Sequence, residues 1–221
     1  MASINPYYTF QYSQPGDYRF SHDSVFLARR VFELVREEVS ADWRILDLCA
    51  GCGIVGMDFL YHCRSELQIT PKDFDFLEIQ SEYEEHFEIN KQRLHLPDTN
   101  IRFLNRNYVD ADPSRQYNLI LCNPPYFNPR AGKLSPSPFK NRCRFFMDAT
   151  PEELIAAIER SLLPGARAYV LSRSPSPPTT RHLRTQPIGD IRGTPLICYE
   201  RLSPVRTNAD VGIGDTHGEQ L

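Results

Sequence analysis

The sequence predicts an α/β protein built on a doubly wound, mostly parallel sheet with helices on both faces. Three observations carry this: short apolar runs alternate with helix-period segments from Arg44 onward, a glycine cluster follows the first run, and an Asn-Pro-Pro-Tyr turn follows a later one. Parallel strands need crossover connections, and this alternation supplies them.

The chain has 221 residues, 41% of them apolar, enough for one core and one domain, expected over residues 21–206. Residues 1–20 are polar and aromatic without period and read as an N-terminal arm. Ser21-His22-Asp23-Ser24 then precede Val25, Phe26, Leu27, Val31, Phe32, Leu34, Val35 and Val39, which predicts a capped helix over 24–39. Next come a strand at 44–49, a helix at 54–63, a strand at 74–78, a helix at 81–94, and strands at 101–104 and 117–122. A long Pro-rich loop leads to a helix at 151–163 and, past Pro164-Gly165, a strand at 166–172. Residues 174–181 read as a loop and 196–202 as a last edge strand. Residues 207–221, almost without bulky apolar side chains, read as a disordered tail.

No apolar run approaches the roughly 20 residues of a membrane-spanning helix, and no apolar signal core opens the chain. A cytoplasmic monomer without membrane contact is expected. Cys49 and Cys52 form a CxxC pair, but no second pair completes a zinc site, so no metal is predicted. Charge is divided unevenly: residues 1–122 carry 12 basic and 19 acidic side chains, and residues 123–206 carry 13 and 6. Arg130, Lys133, Lys140, Arg142 and Arg144 fall in one stretch without a carboxylate, which suits a phosphate-bearing partner or, equally, a solvated loop.

Gly51, Gly53 and Gly56 stand where the first strand gives way to a helix, so backbone can approach a ligand closely and free N–H groups face it. Glu78, with the adjoining Ile79, ends the second strand, where a carboxylate can accept from the ribose hydroxyls of an adenosine cofactor. The loop pattern fits nicotinamide cofactors as well. Asp47, four residues before Gly51, is poorly placed beside a pyrophosphate and suits a cationic amino-acid moiety, directly or through water.

Asn123-Pro124-Pro125-Tyr126 follows the apolar strand at 117–122, on the sheet edge that carries ligands in open parallel sheets. An aromatic amine is a weak nucleophile because its lone pair is delocalised into the ring. The Asn123 side-chain oxygen and the Pro124 carbonyl can each take one N–H and aim that pair, while the prolines keep both acceptors rigid. Tyr126 or Phe127 offers a face on which a base can stack.

Together, the Asp-x-x-x-Gly-x-Gly loop, Glu78 and Asn123-Pro124-Pro125-Tyr126 resemble the small-domain class I methyltransferases, which have a Rossmann-like sheet. Within these they are most similar to the bacterial family that methylates adenine N6 in valine tRNA beside the anticodon. Residues 20–27 and 152–173 extend the resemblance. It implies S-adenosylmethionine as cofactor and a tRNA-like substrate, with Asp23 and Ser24 closing over the methionine end. It also implies that Cys49 holds a position often given to glycine, Asn118 one often given to aspartate, and Asn107 one where aspartate contacts the cofactor adenine. Similar tetrapeptides serve glutamine methylation of release factors and adenine methylation of DNA. Those two remain alternatives, beside a nicotinamide oxidoreductase and a binding module without turnover.

Overall fold

The computed structural model describes residues 12–174 and 176–203; the expected tail and the first part of the expected arm lie outside them. Seven strands form one sheet in the order β3-β2-β1-β4-β5-β7-β6. β1 (Arg44–Leu48), β2 (Asp73–Glu78), β3 (Asn100–Asn105), β4 (Tyr117–Cys122) and β5 (Leu162–Leu171) pair in parallel. β7 (Thr194–Arg201) runs antiparallel to both β5 and β6 (Leu183–Ile191). The five parallel strands therefore end along the same side of the sheet, and Leu48 pairs with Cys122 at the ends of β1 and β4.

Apolar spacing sets the helices on one face. α1 (Asp23–Val35) buries Val25, Leu27, Ala28, Val31, Phe32 and Val35, and Phe32 meets Phe59 of α2 (Ile54–His62) edge-on at 6.3 Å. α1 ends at Val35 and not at 39, and residues 36–38 follow as a turn in which the N–H groups of Glu38 and Val39 donate to the Val35 carbonyl. α2 sits so close to β2 that a Cβ on Gly56 would lie 2.4 Å from the Phe76 ring, so only glycine permits this packing. α3 (Glu84–Leu94) completes the layer behind a single 3-10 turn at Ser81–Tyr83.

On the other face, α5 (Pro151–Ser161) starts at a capping box: Thr150 Oγ1 accepts from the Glu153 N–H at 3.1 Å, and the Glu153 carboxylate accepts from the Thr150 N–H at 2.8 Å.

The structure corrects the sequence reading at four places. The expected loop before α5 contains α4 (Pro138–Arg144), capped by Ser137. β5 begins at Leu162, ahead of the Pro164-Gly165 turn. β7 is interior, with β6, unforeseen, on the edge. Finally, the described part of the expected arm is fixed to the core: the Tyr12 hydroxyl donates to Asp58 at 3.0 Å, and the Ser13 N–H donates to Asn90 at 2.7 Å.

Candidate active site

The carboxyl ends of β1, β2 and β4 open into a crevice of about 270 Å³, lined by Gly51, Glu78, Asn123, Pro124 and Tyr126, with Asp23 and Ser24 of α1 on its far wall. A smaller space of about 50 Å³ adjoins it across Cys49 and Glu78, walled by Ile79, Asn107, Tyr108 and Phe146. The glycine loop and the tetrapeptide, 70 residues apart, thus share one cleft.

The loop needs unusual backbone. Gly51 and Gly53 have φ of 54° and 85°, and Cys49 adopts φ of 63°. Cys49 therefore holds a left-handed conformation that glycine adopts without strain, which explains in physical terms why glycine suits this position. Glu78 closes the loop: Oε2 accepts from the Gly51 N–H and Oε1 from the Gln80 N–H, both at 2.9 Å. Burial pushes the Glu78 carboxyl up from its ordinary value, and the Gln80 and Gly51 N–H groups partly oppose this.

Asp47, expected to act directly or through water, does not itself line the crevice. It is fully buried, and Oδ2 accepts from the Gly56 N–H at 2.8 Å in the first turn of α2. Its Oδ1 has no hydrogen-bond partner among the described residues. Burial pushes its carboxyl up to about 8. Asp47 therefore anchors the helix whose first turn borders the crevice.

Asn123 is held from two sides. Its Nδ2 donates to the Ser24 hydroxyl at 3.0 Å, and its Oδ1 accepts from the Tyr126 hydroxyl at 2.5 Å. The amide is thereby oriented with its oxygen toward the turn. The N–H groups of Tyr126 and Phe127 both donate to the Arg144 carbonyl, at 3.1 and 3.0 Å, and the Phe146 N–H returns to Phe127 at 3.0 Å. The Pro124 carbonyl has no hydrogen-bond partner among the described residues. Burial, reinforced by Asp23, pushes the Tyr126 phenol up, so it stays a donor at neutral pH.

Other predicted site residues are distributed unevenly. Asn107 borders the smaller space, but its amide is engaged, donating to the Asp148 carbonyl at 3.1 Å and accepting from the Val109 N–H at 3.2 Å. Asn118 lies away from the cleft and accepts from the Arg44 N–H at 2.9 Å. Arg142 and Arg144 reach the crevice and Arg130 a neighbouring pocket, whereas Lys133 and Lys140 line neither. Arg142 is paired with Asp148 at 2.9 Å, one residue past the stretch that reads as free of carboxylates.

Sequence reasoning missed Arg173, whose guanidinium carbon lies 4.9 Å from the Tyr126 ring centroid and 5.9 Å from that of Phe127. It follows β5, so the strand-end logic that selected Glu78 and Asn123 could have selected it. Gln80, Tyr83 and Tyr18 also line the crevice unforeseen.

The crevice fits S-adenosylmethionine by its chemistry. Carboxylates at Asp23 and Glu78 suit a donor bearing a cationic sulfur, an ammonium and ribose hydroxyls. Gln80 Oε1, buried in the lining, has no hydrogen-bond partner among the described residues. No group of three or more His, Cys, Asp or Glu side chains suited to a metal occurs among the described residues, nor does any helix long and apolar enough to cross a membrane.

Sheet order and crevice together define the class I methyltransferase fold, and comparison with solved structures agrees. The Escherichia coli protein yhhF, described as a methyltransferase, superposes with a TM-score of 0.59 at 17% identity, over 86% of this chain and 90% of its own. A Listeria monocytogenes protein described as a class I S-adenosylmethionine-dependent methyltransferase gives 0.56 at 10% identity, over 90% and 65%. The Aquifex aeolicus tRNA (m1A58) methyltransferase TrmI gives 0.51 at 12% identity, over 87% and 73%. At such identities these likenesses show the fold alone. A search of curated protein sequences gave no match. The profile of the methyltransferase small domain matches residues 14–136, which include the glycine loop, Glu78 and the tetrapeptide. The chain belongs to the methyltransferase small domain family, whose class I fold implies S-adenosylmethionine as the methyl donor.

Proposed function

We propose that this protein methylates the exocyclic N6 amine of adenine in RNA, with a tRNA-like substrate of the kind modified beside the anticodon of valine tRNA. The observation that carries this reading is that Asn123 and Pro124, which bring a side-chain and a backbone acceptor, line the same crevice as Gly51 and Glu78. Two acceptors side by side suit a planar NH2, which has two protons to donate.

Bound S-adenosylmethionine supplies an electrophilic methyl group on a cationic sulfur. Glu78 would accept from ribose hydroxyls, Asp23 and Ser24 would border the methionine end, and Cys49, Gly51 and Gly53 would shape the wall. Ile79 and Asn107 would flank the adenine of the cofactor. Ile79 is 37% exposed and Met147 41%, so both can yield to admit a ring into a space that is small as it stands.

Asn123 and Pro124 would each take one N–H of the target amine, which localises its lone pair and aims it at the methyl group. Asn123 Oδ1 already accepts from Tyr126, but an amide oxygen has a second lone pair for the amine. Ser24 and Tyr126 hold the amide against rotation, and Pro125 stiffens the turn. The amine loses its proton to water after methyl transfer, so no buried general base is required. Arg173 covers one face of Tyr126, leaving the other face, or Phe127, to stack on the base.

Glutamine methylation in a release factor uses the same two-acceptor logic. The excess of cationic over acidic residues in 123–206, with Arg130, Arg144 and Arg173 beside the crevice, favours a polyanion. Incubation of the purified protein with methyl-labelled cofactor and, separately, tRNA, DNA or release factor, followed by mass mapping of modified nucleosides, tests the proposal. Label appearing as N6-methyladenosine in RNA supports it, and label in glutamine alone overturns it.

A further inference from the structure

The largest cavity described is not the crevice but a groove of about 680 Å³ beside it, between α5 and the sheet. Parallel strands such as β5 and β6 are usually joined through a helix that covers the sheet. Here residues 172–182 form no helix or strand among those described, and Ser172, Arg173, Ser174 and Pro178 themselves line the groove. Leu154 and Ile155 of α5, Val170 of β5 and Tyr199 of β7, whose hydroxyl donates to the Pro178 carbonyl at 3.2 Å, are buried beneath it, and the half-buried Phe146, Ala149, Pro151 and Pro178 present its apolar surface. Two exposed guanidinium side chains, Arg130 and Arg173, belong to the lining, and among the described residues no carboxylate does.

This groove is continuous with the crevice, because Pro124, Tyr126 and Arg173 line both. A polymer that delivers one unit to Asn123 and Pro124 must place a neighbouring unit near Tyr126, at the mouth of the groove. We propose that the groove binds the nucleotide adjacent to the target adenine, with its base against Phe146, Ala149, Pro151 and Pro178 and its phosphate at Arg130 and Arg173. The inference rests on the reading of the crevice as an RNA adenine methylation site. Charge decides for a nucleotide over a peptide side chain: two cations without a counter-carboxylate in the lining suit a phosphate diester, and the half-buried apolar side chains beside them suit a base.

The test uses a single-stranded RNA oligonucleotide in which the methylated adenine has been mapped, with an abasic residue placed in turn on its 5′ and 3′ sides. Binding is read by fluorescence anisotropy and methylation by label transfer. One of the two abasic oligonucleotides should bind wild type about tenfold more weakly than the intact one. Ser174→Trp, which puts an indole into the groove lining, should bind the intact oligonucleotide about tenfold more weakly, lose sensitivity to that abasic site, and retain cofactor binding and melting temperature. If wild type methylates RNA and neither abasic site matters, the groove inference falls while the methylation reading stands. If wild type methylates no RNA but modifies a glutamine peptide, the reading of the crevice falls and the groove belongs to a peptide.

Discussion

The Tyr126 hydroxyl donates to Asn123 Oδ1 at 2.5 Å, so the residue expected only to stack on a base also fixes the orientation of the amide that would receive it. Ser24 completes the clamp from α1. Tyr126→Phe and Ser24→Ala should each lower kcat by less than about tenfold, since each removes one hydrogen bond worth about 1 kcal/mol. The double variant should lose more than the product of the single effects, because the amide is then free to flip. Steady-state kinetics on the three variants with RNA check this.

Gly56 lies against Phe74 and Phe76, both fully buried. Gly56→Ala forces a methyl group to within 2.4 Å of the Phe76 ring and should destabilise the fold by about 1–3 kcal/mol, as overpacked cores do. Urea denaturation measures it.

Asp75 is fully buried on β2. It accepts from Arg102 through two bonds of 2.8 Å, from Tyr117 at 2.7 Å and from Arg115. Burial alone would raise its carboxyl, but these hydrogen bonds prevail and hold it below the ordinary range. Asp75→Asn should cost about 1–3 kcal/mol, because it removes the charge that Arg102 and Arg115 share, while Arg115 keeps Asp73 at 3.7 Å and Arg102 remains partly in solvent. Thermal melts compared with wild type decide this.

Asp58 shows the opposite titration. Burial pushes its carboxyl up to about 7, against the opposing hydrogen bond from Tyr12. A carboxyl raised in the folded state contributes stability that is full below its unfolded value near 3.8 and is lost as pH rises through about 7. Asp47, raised to about 8, acts in the same sense. Asp58→Asn should therefore flatten the fall in melting temperature between about pH 4 and pH 7. An unchanged slope would contradict the assignment.

The parts of the site that were legible in the sequence share one cause. Gly51, Glu78 and Asn123 all follow parallel strands, and a parallel sheet brings its strand ends together whatever lies between them. What stayed hidden depends on contacts distant in sequence or on weak local signals. Residues 12–20 are fixed by Asn90, His86 and Asp58, none of them near in the chain. β6 contains Pro187 and Gly189 and is half exposed, as edge strands tolerate, so its apolar pattern is faint. α4 is masked by the prolines around it, although Ser137 before Pro138 is a capping signal. Spacing alone cannot show that the Asp47 side chain turns toward the Gly56 N–H.

The central claim is that the Asn123 carboxamide receives the amine that becomes methylated, and Asn123→Ala tests it most directly. Label transfer to mapped RNA is measured alongside calorimetric titration of S-adenosylmethionine. Transfer should fall by about a hundredfold or more, as when a positioned polar group is removed from a transition state, while cofactor affinity stays close to wild type. Turnover at the wild-type rate in that variant would contradict the account.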